Sequence, residues 1–189
     1  MYPTLTVSCS ICYYVDDMNF RAYFFNNMYL NGIHNGIQAG HALDNLWSIF
    51  TEYKGKLTKV AQAKFAMLRE FSAKHKTWII LKSGGSEDLF DLYKFMAGQK
   101  TYPFTMFQEP GLNSSPTSVV IILPDRMYDD VATAVGKAMV KADFNMTQQP
   151  VINWQLSIPV ELLDAVQERN YTPWEREFLK RKAMCGLAS

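Results

Sequence analysis

A chain of 189 residues, 48% hydrophobic and 20% charged, suits one globular domain with a modest extension and excludes disorder along its whole length. Its formal charge of +1 gives no global pull towards nucleic acid or membrane, so RNA binding would require a local basic patch. Cys9, Cys12 and Cys185 are too few and too scattered for a disulfide framework, which points to a reducing, cytoplasmic setting.

Cys9-Ser-Ile-Cys12 has the spacing of half a zinc site, yet zinc takes about four ligands and no second Cys or His pair stands at a suitable distance in sequence. No metal is expected. Thr4 to Val15 is apolar but lacks a basic leader and ends in Asp16-Asp17, which fits neither an export signal nor a membrane span. Residues 1–17 read as a leader ahead of the folded domain.

The first strand is expected over Phe20 to Leu30, bounded by Asn31-Gly32. A helix follows from about His34 to Phe50, with Ala39, Ala42, Leu43, Leu46 and Phe50 on its core face. Gly36 and Gly40, four apart, let the backbone approach a neighbour closely, and packing or a ligand is expected to offset the lost helix propensity of about 1 kcal/mol each. Leu57, Val60, Ala61, Phe65, Leu68 and Phe71 mark a second helix, closed by Lys74-His75-Lys76 at its negative end.

Thr77 to Leu81 reads as a buried strand, and Ser86 with Glu87 and Asp88 as a helix start. A strand follows at Phe104 to Phe107. After Pro110-Gly111 comes the apolar strand Ser118 to Leu123, then a helix over Val131 to Val140. The order β-α-α-β-α-β-β-α implies an α/β domain over 18–144, with a mixed four-stranded sheet covered by helices on both faces. Residues 145–189 read as a helical C-terminal extension with helices at Pro159 to Gln167 and Pro173 to Met184. Thr172-Pro-Trp-Glu175 supplies the second with a capping threonine, a first-turn proline and a reciprocal glutamate.

Gly36-Ile-Gln-Ala-Gly-His-Ala42 resembles the Ala-Ala-Gln-x-x-His-Ala signature that opens the first helix of type 2 peptidyl-tRNA hydrolases. Lys76 to Ser83 with Glu87 to Tyr93 is similar to that family's second strand and acidic-leucine helix. Phe107-Gln-Glu-Pro-Gly-Leu-Asn113, followed by Pro116 to Pro124, matches the layout of its Asp-Ala-Gly-x-Thr loop and closing strand. The resemblance spans about residues 20–143. It implies hydrolysis of the ester between a peptidyl group and tRNA, without metal or organic cofactor. Gln38 and His41 match the family outright; His34 stands where the family has a catalytic lysine, Glu109 where it has aspartate, and Asn113 where it has threonine.

The residues themselves allow such chemistry, because His34, Gln38 and His41 at i, i+4 and i+7 share one helix face. A Glu109 loop folded over them would bring a carboxylate to activate water, with imidazole or amide donors for an oxyanion. Lys54, Lys56, Lys59, Lys64, Arg69, Lys74 and Lys76 around the second helix are candidates for tRNA phosphates, or equally a solvated helix face. Trp154 and Trp174 in the extension need a surface to bury them, on the main domain or in a homodimer. The alternatives to a hydrolase are a catalytically inactive RNA-binding relative and a protein-interaction module that uses the C-terminal helices.

Overall fold

The computed structural model describes residues 19–53, 55–146 and 170–187. The expectations for residues 1–17, Cys9, Cys12, Lys54, Trp154 and a helix over 159–167 lie outside the described residues. Strand β1 (Phe20–Asn26) leads into α1 (Gly32–Thr51) and α2 (Lys59–Glu70), which passes directly into a π-helical turn at Phe71–His75. Then come β2 (Trp78–Lys82), α3 (Ser86–Ala97), β3 (Phe104–Glu109), β4 (Ser115–Pro124) and α4 (Asp130–Met146). The C-terminal elements are α5 (Pro173–Met184) and the two-residue β5 (Gly186–Leu187).

The main sheet has the order β3-β4-β1-β2, and β5 adds to the outer edge of β2. Strands β1 and β2 are parallel, a pairing that needs a long crossover, here supplied by α1 and α2. Strand β4 runs antiparallel to both β1 and β3, so the sheet is mixed. Six of the seven residues of β1 are buried, as befits a central strand covered on both faces. Phe178 of α5 meets Tyr23 and Phe25 edge-on at 5.5 and 5.8 Å, which places α5 on their face. Asn26 shares the opposite face with Phe24 and donates to the Asn35 carbonyl at 2.8 Å, which places α1 there. Phe65 of α2 then locks onto Trp47 and Phe50 of α1.

Several local expectations change. Strand β1 ends at Asn26 rather than Leu30, because the Asn27 side-chain oxygen accepts the Tyr29 N–H at 3.1 Å and folds the chain into a turn. Strand β4 begins at Ser115, and α4 reaches Met146. A Cβ at Gly36 or Gly40 would meet open space, so these glycines serve no close packing within the described chain. Close approach is instead required at Gly136, where a Cβ would come within 2.3 Å of the Leu179 carbonyl oxygen. Trp78, expected in the core as part of a buried strand, meets Phe24 at a tilt with ring centres 4.8 Å apart and leaves 42% of its surface exposed.

The last helix belongs to the core. Thr172 and Glu175 form the expected capping box behind Pro173, while Phe178 and Leu179 are fully buried. Glu175, itself 1% exposed, accepts the Tyr102 hydroxyl at 2.6 Å and pairs with Arg126. Trp174 stacks on Phe95 at 5.1 Å, so it finds its burial surface within its own chain. Among the described residues no helix is long and apolar enough to cross a membrane.

Candidate functional site

The carboxyl ends of β1 and β2 are the end of an open α/β sheet where ligands usually bind. There Asn31 caps α1 by accepting the His34 N–H at 3.1 Å. The same Asn31 oxygen lies 2.7 Å from His34 Nδ1, so His34 is drawn to the cap. One helical turn later, Asn26 and Ser118, both fully buried, fasten α1 to the sheet. Ser118 Oγ donates to Asn26 Oδ1 at 2.7 Å, and Asn26 Nδ2 donates to both oxygens of Asn35, at 2.8 and 3.1 Å.

With its start fixed in this way, α1 runs along the edge strand β3 and presents a polar stripe to it. Gln38 Nε2 donates to Glu109 Oε2 at 2.8 Å. His41 stacks on Phe107 with ring centres 4.9 Å apart and planes 29° from parallel. Further along, Asn45, Ser48, Ile49 and Glu52 line an open groove of about 300 Å³ with Thr105. Helix and strand stay in step because one turn rises about 5.4 Å while two strand residues span about 6.6 Å. Glu109, Phe107 and Thr105 therefore face successive turns of α1.

A further member of the site was not foreseen from sequence. The β3–β4 ladder passes from Phe107 opposite Ser118 to Gln108 opposite Pro116, leaving Thr117 as the extra residue of a β-bulge. Strict alternation would send Thr117 to the Phe178 face with Val119; the bulge re-aims it towards α1. Its hydroxyl donates to Gln38 Oε1 at 2.6 Å. A carboxylate can only accept, so Glu109 requires the amide nitrogen and Thr117 takes the amide oxygen. The Gln38 amide, in a side chain only 7% exposed, is thus held at both ends.

Asn113 stands apart from this pair. It is exposed at the exit of a 3₁₀ turn (Pro110–Leu112), with φ of 52°, and Ser114 follows at 56°. Asparagine tolerates this left-handed region better than most residues, which supplies a backbone reason for its presence. Around the same end of the sheet Tyr29, Ile33 and Leu112 are exposed.

The basic residues lie elsewhere. Lys56 and Lys59 follow the C-terminal end of α1, about 20 Å of helix beyond Gln38. Lys74 and Lys76 precede the start of β2, the sheet end opposite Glu109. Lys74 pairs with Glu70, and Arg69 lies over Phe65 at 6.0 Å. Lys64 is half-buried over Phe104, and that burial lowers its pKa. At the Glu109 end, Lys82 and Arg181 line a cavity of about 430 Å³ with Ser83, Asp88, Asp91 and Cys185. Burial raises the Cys185 thiol pKa, opposed by a hydrogen bond with Ser83.

Among the described residues no group of three or more His, Cys, Asp or Glu side chains is arranged to hold a metal ion. No family model matches the chain, and no curated protein does.

Proposed function

We propose that the Thr117-Gln38-Glu109 array is the centre of a hydrolase that cleaves the ester between a peptidyl, or N-blocked aminoacyl, group and the 3′ end of tRNA. The observation that carries this reading is the Gln38–Glu109 hydrogen bond, which joins the α1 motif to the loop that resembles the family's acidic loop. Gln38 holds Oε2 of the carboxylate and leaves Oε1 to accept a proton from water.

Water attacks the ester carbonyl carbon as its proton passes to Glu109. The tetrahedral oxyanion is met by the His41 imidazole, which stacks on Phe107 two strand residues before the carboxylate, and the exposed Asn113 amide joins it only if the loop turns inward over the bound ester. Collapse breaks the bond to the ribose 3′-oxygen, which recovers the proton from Glu109. His34 acts through the Asn31 cap that orients the start of α1. The tRNA body reaches Lys56, Lys59, Lys74 and Lys76 only by extending past the far end of the sheet, while Lys82 is a cation at the Glu109 end.

The test is release of labelled N-acetyl-aminoacyl groups from tRNA by the purified protein. Ester-linked substrate is released and an amide-linked analogue is left intact. A folded protein that binds tRNA in a salt-sensitive manner without releasing either would instead be a non-catalytic relative.

A further inference from the structure

Strand β3 is an edge strand, and among the described residues nothing pairs with its outer side. Such an edge offers a row of unpaired N–H and C=O groups and is normally blunted by proline, bulges, charge or a covering element. Here Pro103 and Pro110 flank the strand but none interrupts it, and the bulge displaces β4 rather than the outer edge. Glu109 terminates the strand. Among the described residues, the groove beside Thr105 carries Asn45, Ser48 and Glu52 and no cation, which disfavours a phosphate chain and suits a peptide.

We propose that the peptidyl part of the substrate docks as an added strand along the open edge of β3, parallel to it, with its ester carbon at Glu109 and a side chain in the Thr105 groove. This rests on the hydrolase reading for its substrate, but the edge and the groove are independent of the chemistry. The direction follows from placement: Glu109 is at the carboxyl end of β3, so a peptide whose own carboxyl end lies there runs the same way. Its residues match β3 one for one, and the residue opposite Thr105 is four before the esterified one. Backbone pairing recognises any sequence, as β-strand addition does elsewhere, while the groove favours a small or polar side chain at that fifth residue.

The experiment compares N-acetyl-aminoacyl-tRNA with N-acetyl-peptidyl-tRNAs of two to seven residues, using the full chain. KM falls on the order of tenfold by the fifth residue and then levels, as a few main-chain hydrogen bonds would give. N-methylation of alternate peptide nitrogens removes the gain in one phase and not the other. In parallel, a pentapeptide joined by an amide to 3′-amino-adenosine is titrated while backbone hydrogen exchange is followed; protection of the outward amides of residues 104–109 is expected. A KM independent of length, a gain insensitive to N-methylation in either phase, or bound analogue with unprotected β3 amides would overturn the proposal. If no ester is turned over, the hydrolase reading fails separately: protection of β3 by the amide analogue still supports the peptide edge, and absence of binding overturns it too.

Discussion

Thr117 Oγ1 lies 2.6 Å from Gln38 Oε1, a contact made possible because one extra residue in β4 turns a side chain from one sheet face to the other. The accept-only carboxylate of Glu109 sets which end of the Gln38 amide it meets, and this hydroxyl anchors the other end. Thr117→Val keeps the shape and leaves a buried amide oxygen without its donor, at a cost of about 1–3 kcal/mol in stability. Turnover falls as Gln38, anchored at one end only, holds Glu109 less firmly, and Thr117→Ser restores most of both. Urea unfolding and initial rates on the same preparations check this; a valine variant with unchanged rate and stability would remove Thr117 from the site.

Gly36 and Gly40 give a prediction of opposite sign. Open space surrounds the Cβ position at each, so Gly36→Ala and Gly40→Ala lose nothing in packing and gain helix propensity. Each is expected to raise unfolding free energy by up to about 1 kcal/mol. Thermal denaturation decides it, and a lower midpoint in either variant would show that these glycines meet something beyond the described residues.

Glu175 is the buried acid on which the C-terminal helix depends. It receives the Tyr102 hydroxyl, the Thr172 N–H at 2.8 Å and an ion pair from Arg126. Arg126 keeps 32% of its side chain exposed, so the main cost of Glu175→Ala is the Tyr102 hydroxyl and Thr172 N–H left without an acceptor, about 1–3 kcal/mol, which should lower the urea midpoint. A loss below about 1 kcal/mol, in the range of an exposed pair, would contradict this role for α5.

Lys182 provides a pH signature. Its Nζ donates to the Met127 carbonyl at 2.8 Å, and burial pulls its pKa down to about 8. An unfolded lysine titrates near 10.4, so between about pH 8 and 10 the unfolded chain binds more protons at this position. Stability contributed by this group therefore rises with pH across that window, having been lowered below it by the cost of burying the ammonium. The unfolding free energy of wild type minus that of Lys182→Met is expected to increase from pH 8 to 10. A flat difference would place the lysine's pKa at its ordinary value.

Much of the architecture was legible because it follows local rules. The alternation of apolar strands with amphipathic helices specified the element order through α4, and Thr172 to Glu175 announced the start of α5 by its capping chemistry alone. The burial of Phe178 against Tyr23 and Phe25 was not legible, since more than 150 residues separate those partners and no local pattern encodes their meeting. Gln38 and Glu109 could be nominated from their motifs. Thr117 could not, because period-two reasoning assigns it to the wrong face and a bulge leaves no mark in composition. The lysines pose the opposite case: Lys56, Lys59, Lys74 and Lys76 are near in sequence but lie at or beyond the ends of α2, away from Glu109.

The central claim is that Glu109, held by Gln38, performs ester hydrolysis, and the most direct measurement is the single-turnover rate on N-acetyl-aminoacyl-tRNA for wild type and Glu109→Gln at matched thermal stability. Replacing the carboxylate by an isosteric amide keeps the fold and removes the proton acceptor, so the rate should fall by on the order of 10²-fold or more, within the usual range for general-base catalysis. Wild-type release that survives in Glu109→Gln would place the chemistry elsewhere, and no release by folded wild type would contradict the hydrolase account altogether.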